Sequence, residues 1–201
     1  MQLVLMTSAT RAMQQANYRV LLDACVLANY GVCDLFLRLA ETPRQFVPLW
    51  SEEILNETHR TQLTKLNPKW PIEQCDSFRE ALKASFPESL AGDYSLLLDR
   101  VTNDPKDRHL LAAAIHEQAS LIVTFNLKDF PPASLKPWSI AVKHPQDYLK
   151  TLYSINPVAV IGRLVVMADK RERTLTELLH QLGKSVPEFS AHVLQSLGNS
   201  A

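Results

Sequence analysis

The stretch Val101-Thr-Asn-Asp-Pro-Lys-Asp-Arg-His-Leu-Leu-Ala-Ala-Ala-Ile-His-Glu-Gln-Ala-Ser-Leu-Ile-Val-Thr-Phe-Asn-Leu-Lys-Asp-Phe-Pro131 decides the fold class. It opens as an acidic loop with Asn103, Asp104 and Asp107. A helix follows, its Leu110, Leu111, Ala113, Ala114 and Ala119 recurring at helical spacing. Ser120 to Thr124 is then a brief apolar run with β-branched residues, the pattern of a parallel strand buried on both faces. Asn126 and Asp129 sit in the polar turn at that strand's carboxyl end. Open α/β sheets bind ligands at the carboxyl ends of their strands. The segment therefore sets carboxylate and amide groups where a site is expected.

Working outward, Tyr18 to Asp23 is an apolar run ending in an acid and reads as the first, central strand. Ala24 to Leu39 has helical spacing, with Leu27, Cys33, Leu35, Phe36 and Leu39 on a core face. Phe46 to Trp50 reads as a second strand. Ser51 is an N-cap for a helix running to about Leu63, with Glu52 and Glu53 in the dipole-favoured first turn and Glu57 in the second. Glu73 to Ser85 predicts another helix, and Phe86 to Gly92 a break. Tyr94 to Val101 fits strand or helix. Ser139 to Val142 reads as a last short strand.

From His144 the pattern changes. Asn156-Pro157 is an N-cap followed by Pro at the first helical position, and Thr174 to Glu177 and Ser185 to Glu188 both fit capping boxes. Val158, Ile161, Leu164 and Val165 form one apolar face; Leu175, Leu178, Leu179 and Leu182 a second; Phe189, Val193, Leu194 and Leu197 a third. The expected organisation is a loose leader over 1–17, not shaped like a signal peptide, an α/β domain over 18–145, and an all-helical region over 146–201 with about three helices.

Lys plus Arg and Asp plus Glu are 21 each, so the net charge of this 201-residue chain is zero. That argues against a basic protein that coats nucleic acid, but not against an enzyme whose cations surround an acidic centre. No apolar run approaches the roughly 18 residues of a membrane span. Cys25, Cys33 and Cys75 form no CxxC pair and fit free thiols of a reducing, cytoplasmic compartment. The Cys and His residues lack zinc spacing, and Asp23 is followed by Ala-Cys-Val-Leu rather than by a glycine-rich phosphate loop.

Acids therefore stand at four element ends: Asp23, Glu57, Asp104 with Asp107, and Asn126 with Asp129. Clustered carboxylates raise one another's pKa unless a cation intervenes. Mg2+ or Mn2+ suits such a set, because these ions take carboxylates and retain waters. Each residue also has an ordinary structural role open to it: Asp23 as a helix cap, Glu57 as a surface acid, Asp107 as a helix-dipole partner, Asp104 and Asp129 as turn residues. Asp23, closing the central strand, is the strongest single candidate. Arg60, Arg108, His109 and Lys128 flank the set and fit phosphate contacts or ordinary surface charge equally well.

Val20-Leu-Leu-Asp23, Ser51-Glu-Glu-Ile-Leu-Asn-Glu57, Asp104-Pro-Lys-Asp107-Arg-His-Leu-Leu-Ala-Ala-Ala and Val123-Thr-Phe-Asn126-Leu-Lys-Asp129-Phe, in that order, resemble PIN-domain ribonucleases, and within these the toxins of the VapBC type. The resemblance spans about residues 18–145. It implies a three-layer α/β/α fold with a central parallel sheet of four or five strands and Mg2+- or Mn2+-dependent cleavage of RNA. It carries Asp23, Glu57 and Asp107 into the catalytic, metal-binding set. Asn126 takes a fourth position usually held by Asp or Asn. Asp129 stands by to supply the missing charge, and Asp104 is a second-rank ligand. It further implies an RNA target, tRNA or other structured RNA included, a cognate antitoxin, inhibition of translation, and a homo-oligomer as a candidate state. The competing readings are a non-catalytic interaction module, a flap-type DNA nuclease on the same fold, and a haloacid-dehalogenase-type phosphatase. That last chemistry needs a second acid two residues after Asp23, where Cys25 stands.

Overall fold

A computed structural model describes residues 17–66 and 68–198; the leader expected before residue 17 lies outside the described residues. Four short strands, β1 (Arg19–Leu22), β2 (Val47–Leu49), β3 (Leu121–Val123) and β4 (Ala141–Lys143), form one all-parallel sheet in the order β2-β1-β3-β4. β1 is central, as its uninterrupted apolar run predicts, and Val20, Leu21 and Leu22 are fully buried. Pro48 is accommodated because β2 is at the edge. The neighbouring Val47 N–H bonds the O of Tyr18, the residue before β1, so the position lacking an N–H faces outward.

The connections explain the layers. From β1 the chain passes through α1 (Ala24–Leu27) and α2 (Tyr30–Ala40) to β2 on one side. It then passes through α3 (Glu52–Thr64), α4 (Ile72–Ser85) and α5 (Arg108–His116) to β3 on the other side of β1. Right-handed crossovers running in opposite directions put their helices on opposite faces. Accordingly α2 packs on β2, while α5 packs on β1 and β3. A short helix α6 (Pro132–Leu135) leads to β4. The two crossovers diverge between β1 and β3, which makes that gap the switch point where a ligand site is expected.

The single helix expected over Ala24–Leu39 is two. Asn29 interrupts it, its side chain accepting from Val32 N at 3.3 Å as the N-cap of α2. The undecided stretch from Tyr94 forms a 3-10 turn, Ser95–Arg100.

The tail holds four helices rather than about three: α7 (Pro145–Ile155), α8 (Pro157–Asp169), α9 (Leu175–Leu182) and α10 (Pro187–Gly198). Asn156 caps α8, and Thr174 with Glu177 forms a complete capping box on α9. Ser185 does not cap α10; its Oγ instead accepts from Asn29 Nδ2 at 2.9 Å, tying the tail to the start of α2. The tail is seated by aromatic packing: Tyr148 of α7 stacks on Phe36 at 5.8 Å and meets Phe46 edge-on at 5.6 Å. Arg171 pairs with Asp34 of α2 at 2.7 Å.

The apolar face of α8 is not the expected one. Val160, Leu164, Met167 and Ala168 are buried, at i, i+4, i+7 and i+8, whereas Val158 is 82% exposed and Val165 39%. This helix is apolar on nearly every side, so periodicity alone does not select the buried face; contact with α2, α7 and α9 does. One apolar cluster runs from the sheet into all four tail helices.

Candidate active site

Asp23 leaves the end of β1 and turns into the single helical turn of α1. Its backbone N–H donates to Val123 O at 3.1 Å, fixing it beside the end of β3. Oδ1 makes a long cap contact with Cys25 N at 3.4 Å. Oδ2 is gripped more closely, by Thr124 Oγ1 at 2.5 Å and Cys25 Sγ at 2.9 Å. Thr124 Oγ1 in turn accepts from Asn126 N at 2.9 Å, so one hydroxyl orients both the β1 acid and the β3 turn. The carboxylate is 5% exposed. Burial, then the charge of Asp23, pushes the Cys25 thiol up to about 12. Cys25 therefore stays protonated and donates, whereas a nucleophilic thiol needs a depressed pKa.

Glu57 reaches the same place from the second turn of α3. Ser51 caps that helix, accepting from Ile54 N at 3.2 Å. Burial raises the Glu57 carboxyl above its ordinary value; Asp23 and Glu53 push the same way, and His109 and Arg60 oppose them. Asp107 arrives from the turn before α5. It makes no side-chain cap bond to that helix, so its carboxylate is not consumed by the structural role open to it. Burial, then the charges of Asp129, Asp23 and Asp104, pushes it up to about 6 against the opposing influence of His109. Glu57 and Asp107, from two separate elements, thus each sense the charge of Asp23.

Asp23, Glu57, Asp107 and Asn126 line one cleft of about 320 Å3 at the switch point, together with Ala24, Cys25, Arg60, Thr61 and Lys65. Asp129 and Asp104 do not line it. Asp104 caps its own turn, its side chain accepting from Lys106 N at 3.0 Å and its N–H donating to Asp129 O at 3.2 Å.

Of the cations expected to face phosphate, Arg60 lines the cleft, Arg108 is half-buried and Lys128 is exposed beyond the lining. His109 departs from that expectation. It is 4% exposed, with Nε2 3.6 Å from Glu57 Oε2 and Nδ1 3.8 Å from Glu53 Oε1. Its ring is buried within ionic reach of Glu57 and Glu53 rather than meeting solvent. Sequence reasoning missed Thr124, Cys25, Thr61 and Lys65. Thr124 was within reach: parallel pairing of Leu22 with Val123 sets the next residues, Asp23 and Thr124, side by side.

The donor set is hard oxygen: three carboxylates and one amide. Among the described residues no three His, Cys, Asp or Glu side chains form a ready-made cage. An ion that keeps part of its water shell needs no such cage, and the crowding of Glu57 and of Asp107 by Asp23 is the kind a bound cation would relieve. The residues therefore fit a hard divalent ion held by Asp23, Glu57, Asp107 and Asn126.

A parallel α/β/α domain with an acidic cleft at its switch point is the class the fold and site define. The PIN domain family matches residues 19–128, more than half of the chain, and the chain belongs to that family. The Mycobacterium tuberculosis (strain ATCC 25618 / H37Rv) protein named "Putative ribonuclease VapC50" is 38% identical over 135 residues, covering 66% of this chain and 77% of that protein. No solved structure matches the chain at comparable stringency. The family match includes Asp23, Glu57, Asp107 and Asn126 and ends before Asp129 and the tail.

Proposed function

We propose that the chain is a Mg2+- or Mn2+-dependent endoribonuclease, the toxin of a toxin–antitoxin pair, acting in the cytoplasm to inhibit translation. The observation that carries this reading is the convergence of Asp23, Glu57 and Asp107 on one cleft, with two of the three held above their ordinary protonation range. Carboxylates gathered at such a cost to their ionised forms serve a purpose that surface acids do not. When bound, a divalent ion there supplies Lewis-acid polarisation of a phosphodiester and a water of lowered pKa.

The chain's own residues supply the rest. Thr124 and Cys25 lock the rotamer of Asp23 through its Oδ2. His109, with Nε2 3.6 Å from Glu57 Oε2, favours the charged form of that carboxyl. Arg60 on α3 and Lys65 at its C-cap offer cations to the phosphates flanking the scissile bond. Hydrolysis adds water across one P–O bond, leaving one fragment with a phosphate terminus and the other with a hydroxyl.

The deciding experiment is cleavage of total RNA by the purified chain with and without Mg2+, followed by mapping of the ends, with single-stranded and flap DNA in parallel. Metal-dependent RNA fragments absent from Asp23→Asn support the reading. Cleavage of DNA alone moves the assignment to a flap-type nuclease, and cleavage of neither returns it to an interaction module. Expression alone should arrest growth, and co-expression of an adjacent small antitoxin should restore it.

A further inference from the structure

The cleft has a neighbour on the side of Lys65. A second groove, of about 460 Å3, begins at the next residue, Leu66, and at Ala28, one helical turn beyond Asp23. The intervening α1 has four residues, about 6 Å of helix. The floor of this groove is aromatic and its far wall is the tail. Tyr30 is 56% exposed and meets Trp70 edge-on at 5.8 Å. The Arg171 guanidinium lies 4.7 Å from the Tyr30 ring centroid and pairs with Asp34 at 2.7 Å, which fixes it in place. Lys184 stands exposed on the rim with Gln181 beside it.

The charge of this groove is one-sided. Arg171 and Lys184 are the charged side chains among its described lining residues; no carboxylate lines it. On the tail helix that carries Gln181 and Leu182, Glu177 is turned into its capping box with Thr174. Among the described residues neither Lys65 nor Lys184 makes an ion pair. An exposed aromatic ring backed by a guanidinium and edged by a lysine without an ion pair is the arrangement on which single-stranded nucleic acid stacks its bases and lays its phosphates. Adjacency favours the same occupant, because the linings of the two cavities meet at consecutive residues, Lys65 and Leu66.

We infer that this groove is a second RNA subsite, in which Tyr30 stacks a base and Lys184 contacts a phosphate of the single-stranded segment leaving the cleft. The inference rests on the ribonuclease reading above and adds a use for the helical tail: it completes the substrate track.

The test uses the full chain carrying Asp23→Asn, so that RNA is bound without being cut. Fluorescence anisotropy compares an unstructured RNA of about 12 nucleotides, within the span of known single-stranded sites, with a dinucleotide. The longer RNA should bind at least about tenfold more tightly than the dinucleotide, the gain expected of one stacked base and one phosphate contact. Tyr30→Leu, which keeps apolar volume but removes the π face, and Lys184→Gln should each erase most of that advantage. Lys184→Gln should also flatten the salt dependence, by about 0.7 in log K against log salt. If Tyr30→Leu lowers the melting temperature, Lys184→Gln, an exposed position, decides.

Unchanged length dependence in both variants, with RNA cleavage by the wild-type chain intact, overturns the subsite and leaves the ribonuclease reading standing. A wild-type chain that neither binds nor cuts RNA overturns both. Unchanged RNA binding with release of a co-purified protein by Lys184→Gln marks the groove as a protein site and overturns the inference.

Discussion

Replacing Asp107 with Asn should make the metal-free protein more stable near neutral pH, although it removes an acid from the candidate catalytic set. Asp107 is raised from an ordinary 3.8 to about 6 by burial and by Asp129, Asp23 and Asp104. A carboxyl raised on folding contributes stability that is present below the unfolded value and lost as pH rises through the folded one, so at pH 7.5 its ionised form works against the fold. Two pH units at 1.36 kcal/mol each give an upper bound of about 3 kcal/mol. Because the side chain is only half-buried, solvent screening cuts this to about 1 kcal/mol. For a chain of this size that is a rise of about 2–4 °C in melting temperature.

The assay is thermal melting in EDTA at pH 7.5, 6 and 4. The advantage of Asp107→Asn should be largest at pH 7.5 and vanish near pH 4, where the wild-type carboxyl is already neutral. Adding Mg2+ or Mn2+ to about 100 times its Kd should stabilise the wild-type protein by about 2.7 kcal/mol and the variant far less, reversing their order. A variant that melts lower than wild type in EDTA at pH 7.5, or a difference independent of pH, would refute the claim that Asp107 is held in a crowded acidic cluster.

Three further outcomes are expected. Asp23→Asn should lower RNA cleavage at least about a hundredfold, the scale of losing one electrostatic group from a reaction centre, without lowering the melting temperature, because a like charge beside Glu57 and Asp107 is removed. Thr124→Val keeps the shape but strips the 2.5 Å donor from Asp23 and the acceptor from Asn126 N. It should cost about 1–3 kcal/mol in chemical denaturation and reduce cleavage, since buried partners are left unpaired. Cutting the chain after His144 removes Tyr148, Leu149, Leu152 and Leu164 from the cluster around Phe36. The product should be poorly soluble and melt without cooperativity.

The parallel sheet was legible because its strands are nearly continuous apolar runs closed by polar residues, and β1 and β3 stood out on that ground. The acids were legible as a set because each closes a strand or lies in the opening turns of a helix, where the backbone fixes their direction. What stayed hidden depends on contacts between distant elements. The break at Asn29 is masked because apolar residues keep helical spacing across it, from Leu27 to Cys33. α7 went unseen because its N-cap is His144, whose ring nitrogen accepts from Gln146 N at 3.3 Å, a residue type outside the usual caps. Ser185 has the spacing of a capping box, yet Pro187 opens the helix and the hydroxyl is drawn to Asn29 instead. His109 has the composition of a surface cation, and only the packing of α5 against β1 and β3 shows that it is buried.

The bond between Thr124 and Asp23 joins residues 101 positions apart. Synthesis runs at about 5–20 residues per second, so Asp23 leaves the ribosome roughly 5–20 s before its partner. During that interval β1 has β2 beside it but an empty place where β3 belongs, and neither Asp107 nor Asn126 is near. The acidic centre cannot assemble piecemeal; it closes in one late step, when β3 enters the middle of the sheet. A growing chain thus lacks the assembled acidic cleft until nearly two thirds of it has been made, whatever the order in which its helices form.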